Sequence, residues 1–224
     1  MADKLRVLCL HGYGQDGETL RGRIAAFRRA FKSSVEFVCI DGPLLSEPRD
    51  KDDSTSTEQE GALAQPQGRS WFRFQRNEDG EGYTLSYVNE TIAYIKAVCR
   101  EQGPFDGILG FSQGGTTASL VLQNQHEEPE DSPFVFKFGI FISAPQPGDP
   151  RVGNPALKLA MPTLHVIGET DAVIEPARSK KVAEGFVDPR VFMHPGGHYI
   201  PTNKEPKDAF RDFFKQLKEL QAKA

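Results

Sequence analysis

The sequence predicts an α/β protein built on a doubly wound, mainly parallel sheet with helices on both faces. Two observations carry this. Short β-rich runs alternate with stretches of helical periodicity along the chain, and most of the runs are apolar at consecutive positions rather than at every second one. Strands that are apolar on both sides must be covered on both faces, and alternating β and α units do this with a parallel sheet. A third observation is size: 224 residues bury a sizeable core without disulfides or metal, so a single domain spanning 1–224 is expected.

The expected strands are 5–10, 35–40, 105–109, 136–142, 162–167 and 190–194. Between them lie helical stripes at three- and four-residue spacing: Leu20, Ile24, Phe27 and Phe31; Leu85, Val88, Ile92, Ile95 and Cys99; and Phe210, Phe213, Phe214, Leu217 and Leu220. The stretch 113–122 is apolar nearly all round, as expected of a helix packed against the middle of the sheet. Two segments break the rhythm. Residues 46–70 are rich in Asp, Glu, Ser, Thr, Gln and Pro and read as a mobile insertion loop, either simply solvated or serving as a lid or docking element. Residues 124–133 read as an acidic surface connection.

A net charge of -4 leaves no basic surplus to neutralise phosphates, which argues against nucleic acid and anionic membrane surfaces as partners. The apolar run at 5–10 is too short for a signal segment or a membrane span, so no integral membrane association is expected. Three cysteines, Cys9, Cys39 and Cys99, cannot all pair; together with the absence of a signal segment they point to a reducing, cytoplasmic setting. No spacing of His, Cys, Asp or Glu matches a metal-ligand pattern, and no cofactor is expected.

Two motifs compete for the function. The first strand is followed by His11-Gly12-Tyr13-Gly14-Gln15-Asp16-Gly17, which satisfies G-x-G-x-x-G, and Asp41 closes the next strand. Alone this suggests a nicotinamide-dependent oxidoreductase, with Gly12, Gly14 and Gly17 admitting a pyrophosphate and Asp41 binding a ribose hydroxyl. Against it, Arg21, Gly22 and Arg23 stand where small apolar residues usually pack on the strand.

The second motif is Gly110-Phe111-Ser112-Gln113-Gly114, placed after a predicted strand and before the buried helix. That is the setting of a nucleophile elbow, in which a strained turn exposes the serine hydroxyl and flanking glycines avoid collisions with the adjacent strand and helix. A serine hydroxyl needs a base at neutral pH, and His198 follows the last strand on a glycine-rich loop. Of the other histidines, His165 and His194 read as structural and His126 as solvated. The base needs an orienting carboxylate, and Asp171 is preferred to its neighbour Glu169. The chain order Ser112, Asp171, His198 is that of α/β-hydrolases. Backbone N–H groups of Gln113 and Tyr13 are the expected oxyanion donors, which gives the glycine-rich loop a use without a dinucleotide. A non-catalytic small-ligand receptor that retains these residues is a further alternative.

The segments 8–14, Gly103-Pro104-Phe105-Asp106-Gly107, 110–114, 168–171 and 194–198 together resemble the family of small serine hydrolases found in yeast and, in animals, as the ovarian-tumour-candidate hydrolase. Arg69-Ser70-Trp71-Phe72 also resembles a tryptophan-phenylalanine segment of that group. The resemblance implies an α/β-hydrolase fold with little or no cap domain. It implies carboxylesterase or thioesterase action on small-molecule acyl esters, some long-chain, with Ser112, Asp171 and His198 as the triad. Gly115 departs from the alanine often found in relatives, a change expected to touch helix packing more than chemistry. Trp71 and Phe72 are candidates to line an acyl pocket, weighed against a purely structural aromatic cluster.

Overall fold

The structure is a computed structural model and describes residues 4–47, 68–78, 82–130 and 132–221. Its elements in chain order are β1 (Leu5–Leu10), α1 (Gly17–Arg23), α2 (Ala25–Ala30), β2 (Val35–Ile40), β3 (Leu44–Leu45), β4 (Arg69–Ser70), β5 (Arg73–Arg76), β6 (Tyr83–Ser86), α3 (Val88–Gln102), β7 (Gly107–Phe111), α4 (Gln113–Glu127), β8 (Phe138–Ile142), β9 (Thr163–Gly168), α5 (Pro176–Ala183), β10 (Arg190–His194) and α6 (Lys204–Gln221). Six strands form one sheet in the order β10-β9-β8-β7-β1-β2, every neighbouring pair parallel.

The pleat sorts the side chains of each strand between two cores. Val7 and Cys9 of β1 face a cluster with Leu20, Ile24 and Phe27 of the first helices and Phe210 and Phe213 of α6. Leu8 and Leu10 face the opposite cluster with Ile95 and Val98 of α3, Val121 of α4 and Val182 of α5. This is why the central strands are apolar at consecutive positions: neither face of the sheet is left for water there. Phe27 stacks on Phe210 at 4.2 Å between centroids, tying the N- and C-terminal helices together. Each fully buried phenylalanine contributes about 1.5–3 kcal/mol.

Several elements differ from the sequence expectation. The helix expected across Leu20 to Phe31 is two helices meeting at Ile24, which departs from helical dihedrals (φ -92°, ψ 11°) while its side chain stays fully buried. Leu85 belongs to β6 and not to the following helix; its N–H donates to Asp149 Oδ2 at 2.8 Å, and β5 and β6 form a small antiparallel ribbon. The strand expected at 105–109 runs Gly107–Phe111, since Asp106 is held by the Arg6 backbone and Phe105 drops into the core. Helix α4 continues to Glu127, into the segment read as an acidic connection. Most of the insertion at 46–70 falls at 48–67, outside the described residues; its last residues, as β4, pair with β3 just before it. Among the described residues no helix is long and apolar enough to cross a membrane.

The chain runs from β1 outward to β2, then returns to place β7 on the other side of β1. The winding therefore reverses between β1 and β7, and the loops that leave their carboxyl ends diverge to open a crevice there. Those loops are the glycine-rich stretch and the Ser112 turn.

Candidate active site

Ser112 stands between β7 and α4 with φ +53° and ψ -120°, a conformation that costs a non-glycine residue about 1–3 kcal/mol. Its neighbours make the turn possible. A Cβ on Gly110 would lie 2.2 Å from the Gly114 carbonyl oxygen, and one on Gly114 would lie 2.3 Å from that of Leu10. The turn is pinned by the Ser112 N–H, which donates to Ile142 O at 2.9 Å. Strain is thus held by backbone packing on both sides, and the hydroxyl projects from the carboxyl edge of the sheet.

His198 arrives from the loop after β10. Gly168 at the end of β9 lets this loop approach, because a Cβ there would sit 2.5 Å from the carbonyl oxygens of Gly196 and Gly197. His198 Nε2 lies 3.0 Å from Ser112 Oγ, and His198 Nδ1 lies 2.8 Å from Asp171 Oδ2. Asp171 is buried and its other oxygen accepts the N–H groups of Val173 and Ile174 at 3.0 and 2.8 Å. Burial alone would raise its pKa, but the His198 hydrogen bond and the two amides outweigh it and hold the carboxyl below its usual value. The carboxylate therefore requires a donor at Nδ1, which leaves Nε2 as the acceptor facing the Ser112 hydroxyl. Glu169 is exposed and His126 lies on the surface. His165 stacks on Phe141, and His194 is buried against Tyr199.

Gln113 opens α4, where a first-turn N–H has no acceptor within the helix. Its side chain also clasps the neighbouring strap: Oε1 accepts the Trp71 N–H at 3.0 Å and Nε2 donates to Phe72 O at 2.8 Å. The Trp71 indole N–H donates to His11 O at 2.8 Å, and Thr91 donates its hydroxyl to Trp71 O. His11 Nε2 accepts the Gly42 N–H at 2.9 Å, which fixes its proton on Nδ1, 2.8 Å from Gly12 O. Burial lowers the His11 pKa, keeping the ring neutral as this pattern requires. One buried network therefore joins the elbow, the Trp71-Phe72 strap and the loop that carries Tyr13. Neither His11 nor Thr91 was visible as a contributor from sequence.

A cavity of about 230 Å³ opens beside Ser112, walled by Tyr13, Phe72, Phe74, Tyr83, Gln113 and Ile174 among others. Of the two aromatic candidates, Phe72 lines it and Trp71 does not. Trp71 is wholly buried in the core and serves the network behind the wall. Arg178, in the first turn of α5, also lines the cavity and carries no signature in the sequence that singled it out.

The dinucleotide reading of the glycine-rich loop is not supported by its surroundings. Asp41 Oδ1 accepts the Gly17 N–H at 2.8 Å and Asp16 caps Thr19, so carboxylates already occupy the start of α1. The Gly14 N–H is taken by Arg69 O, and Gly68 packs so closely on Gly14 that a Cβ would be 2.1 Å from its carbonyl oxygen. A pyrophosphate would meet negative charge and a covering strand.

Residues 1–210 match the serine hydrolase (FSH1) family. The chain is similar to the protein named esterase OVCA2 of Danio rerio, 32% identical over 95% of this chain and 97% of that one. It is likewise similar to esterase CG5412 of Drosophila melanogaster, 31% identical over 96% of this chain and 75% of the relative. Its fold matches a carboxylesterase from Mesorhizobium loti (TM-score 0.61, 20% identity, covering 93% of this chain and 86% of that one). It also matches Arabidopsis thaliana SOBER1 (TM-score 0.63, 20% identity, covering 96% and 99%). The chain belongs to the serine hydrolase (FSH1) family and carries its active-site candidates on an α/β-hydrolase fold.

Proposed function

We propose that this protein hydrolyses carboxylic esters or thioesters of small molecules through an acyl-enzyme, with Ser112 as nucleophile, His198 as general base and acid, and Asp171 as the orienting carboxylate. The observation that carries the reading is the unbroken line from Ser112 Oγ through His198 to Asp171, at 3.0 and 2.8 Å. In the first step His198 Nε2 takes the hydroxyl proton as Oγ bonds to the acyl carbon, and the carbonyl becomes an oxyanion. The Tyr13 and Gln113 amides would stabilise that charge, each donor worth about 3 kcal/mol in the transition state. Collapse expels the alcohol or thiol, which receives the proton from His198. Water then repeats the sequence and frees the acid.

No metal or organic cofactor enters this chemistry. The cavity holds about 230 Å³, room for roughly eight groups the size of a water molecule, which favours short or medium acyl groups over long chains that would have to leave through its mouth. Cys9, Cys39 and Cys99 are unpaired thiols, which supports a cytoplasmic location.

The test is covalent labelling with a fluorophosphonate, read by intact mass, beside a chain-length series of p-nitrophenyl esters. Wild type is expected to gain one adduct and turn over esters, and Ser112→Ala to do neither. Absence of labelling on folded wild-type protein would overturn the hydrolase reading, and labelling without turnover of any ester or thioester would favour the receptor alternative.

A further inference from the structure

Among the described residues, Arg178 is the one charged side chain in a wall otherwise made of aromatic, aliphatic and neutral polar groups. It is half-buried, and among the described residues its guanidinium has no hydrogen-bond or ion-pair partner. Two buried carboxylates of the described residues are engaged elsewhere. Asp171 is bound to His198, and Asp149 is buried, held by Arg151 at 2.6 Å and by the Leu85 N–H. Glu175, three residues before Arg178, is exposed and forms no ion pair with it.

The position is also unfavourable on local grounds. Arg178 lies in the first turn of α5, which contains no acidic residue and begins with Pro176. A cation at that end of a helix adds to the partial positive charge already there, where an anion would be stabilising. Folding alone gives no reason for a guanidinium here. A guanidinium offers five N–H donors in a planar fork that fits a carboxylate with two parallel bonds, and its pull is strongest where water is partly excluded.

We propose that Arg178 selects substrates carrying an anionic group, a carboxylate, borne on the ester that Ser112 attacks. This inference rests on the esterase reading above and narrows its substrate class. The cavity accommodates a carbonyl and about six further heavy atoms, so an acyl group ending in a carboxylate four carbons from the reacting carbonyl fits it in size.

The experiment compares three esters on wild type, Arg178→Gln and Arg178→Lys, with spontaneous hydrolysis subtracted. They are 4-nitrophenyl hydrogen glutarate, its uncharged isostere 4-nitrophenyl 5-methylhexanoate, and 4-carboxyphenyl 5-methylhexanoate, which carries the anion on the leaving group. The readout is the ratio of kcat/KM for each anionic ester to that of the neutral one within each protein. In wild type the ratio for at least one anionic ester is expected to be about 10- to 100-fold above its value in Arg178→Gln, with Arg178→Lys between them. Which anionic ester responds tells whether the carboxylate sits on the acyl or the leaving side. The inference is overturned if neither ratio is higher in wild type than in Arg178→Gln. Should Arg178→Gln fail to fold, the wild-type ratio and Arg178→Lys decide by the same criterion. Failure of wild type to hydrolyse any of the three would count against the esterase reading itself.

Discussion

Replacing Gln113 by glutamate isolates the buried clasp between the elbow and the Trp71-Phe72 strap. The native amide accepts from the Trp71 N–H and donates to Phe72 O, so one end must be an acceptor and the other a donor. A carboxylate keeps the acceptor but sets a second acceptor against Phe72 O, whereas a neutral carboxylic acid restores the donor. The substituted side chain, which is 6% exposed in its native form, should therefore resist ionisation in the folded state. Its folded pKa then lies above the unfolded value of about 4.3, so the variant is closest to wild type below that pH and loses stability as pH rises through the folded pKa. Each unit of elevation costs about 1.4 kcal/mol above both values, and a rise of about two units would cost ~3 kcal/mol at pH 8 and about a third of that at pH 5. The assay is urea unfolding followed by the fluorescence of Trp71, the one tryptophan of the chain, at intervals from pH 5 to pH 8. Gln113→Ala provides the reference, because it strands both backbone groups at about 1–3 kcal/mol each without a titration. A glutamate variant whose deficit does not change with pH would refute the donor-acceptor reading of the clasp.

Three further outcomes follow from the geometry. Asp171→Asn should leave the fold intact but lower kcat about 10³- to 10⁴-fold with little change in KM, since an amide no longer fixes the His198 tautomer; initial rates on a p-nitrophenyl ester decide it. Ser112→Gly should raise the melting temperature by about 2–4 °C in calorimetry, because relief of the turn's strain exceeds the added chain entropy of glycine by about 1 kcal/mol; an unchanged or lower value would mean the turn stores no strain. His165 is buried and held neutral, its pKa pushed down to about 3 from 6.5, so wild type should lose up to ~1.4 kcal/mol per pH unit as pH falls between those values. His165→Phe keeps a ring on Phe141 and removes the titration, so its acid limb in urea unfolding should be shallower.

The sheet strands and the candidate residues that the structure brings together were legible in the sequence because each is encoded locally. Consecutive apolar residues mark strands covered on both faces, and Ser112, Asp171 and His198 each sit directly after one, where a parallel sheet collects its loops. The competition between Gly12-x-Gly14-x-x-Gly17 and the serine motif was not a local matter: it turns on Asp41 and Arg69, which reach the loop from 24 and more residues away. Trp71 was misplaced for the same reason. An aromatic next to Phe72 reads as pocket lining until its indole N–H is seen on His11 O and its amide on Gln113. The β5–β6 ribbon was hidden because Leu85 continues the spacing of the helix behind it, and only pairing with Phe74 withdraws it.

The pairing of Leu44–Leu45 with Arg69–Ser70 bears on how this architecture can diversify. Two strands clamped side by side hold the ends of the intervening chain at a fixed, short separation, next to Glu47, whose carbonyl accepts the Tyr13 hydroxyl at 2.8 Å. Closing a loop on such a clamp costs only about 0.6 kcal/mol for each doubling of its length. Changes in the length of the chain between the two strands are thus nearly free in stability, and the Glu47 end of the clamp adjoins Tyr13 of the cavity wall. Variation in that length can be absorbed without disturbing Ser112, Asp171 and His198, which follow strands β7, β9 and β10 of the parallel sheet.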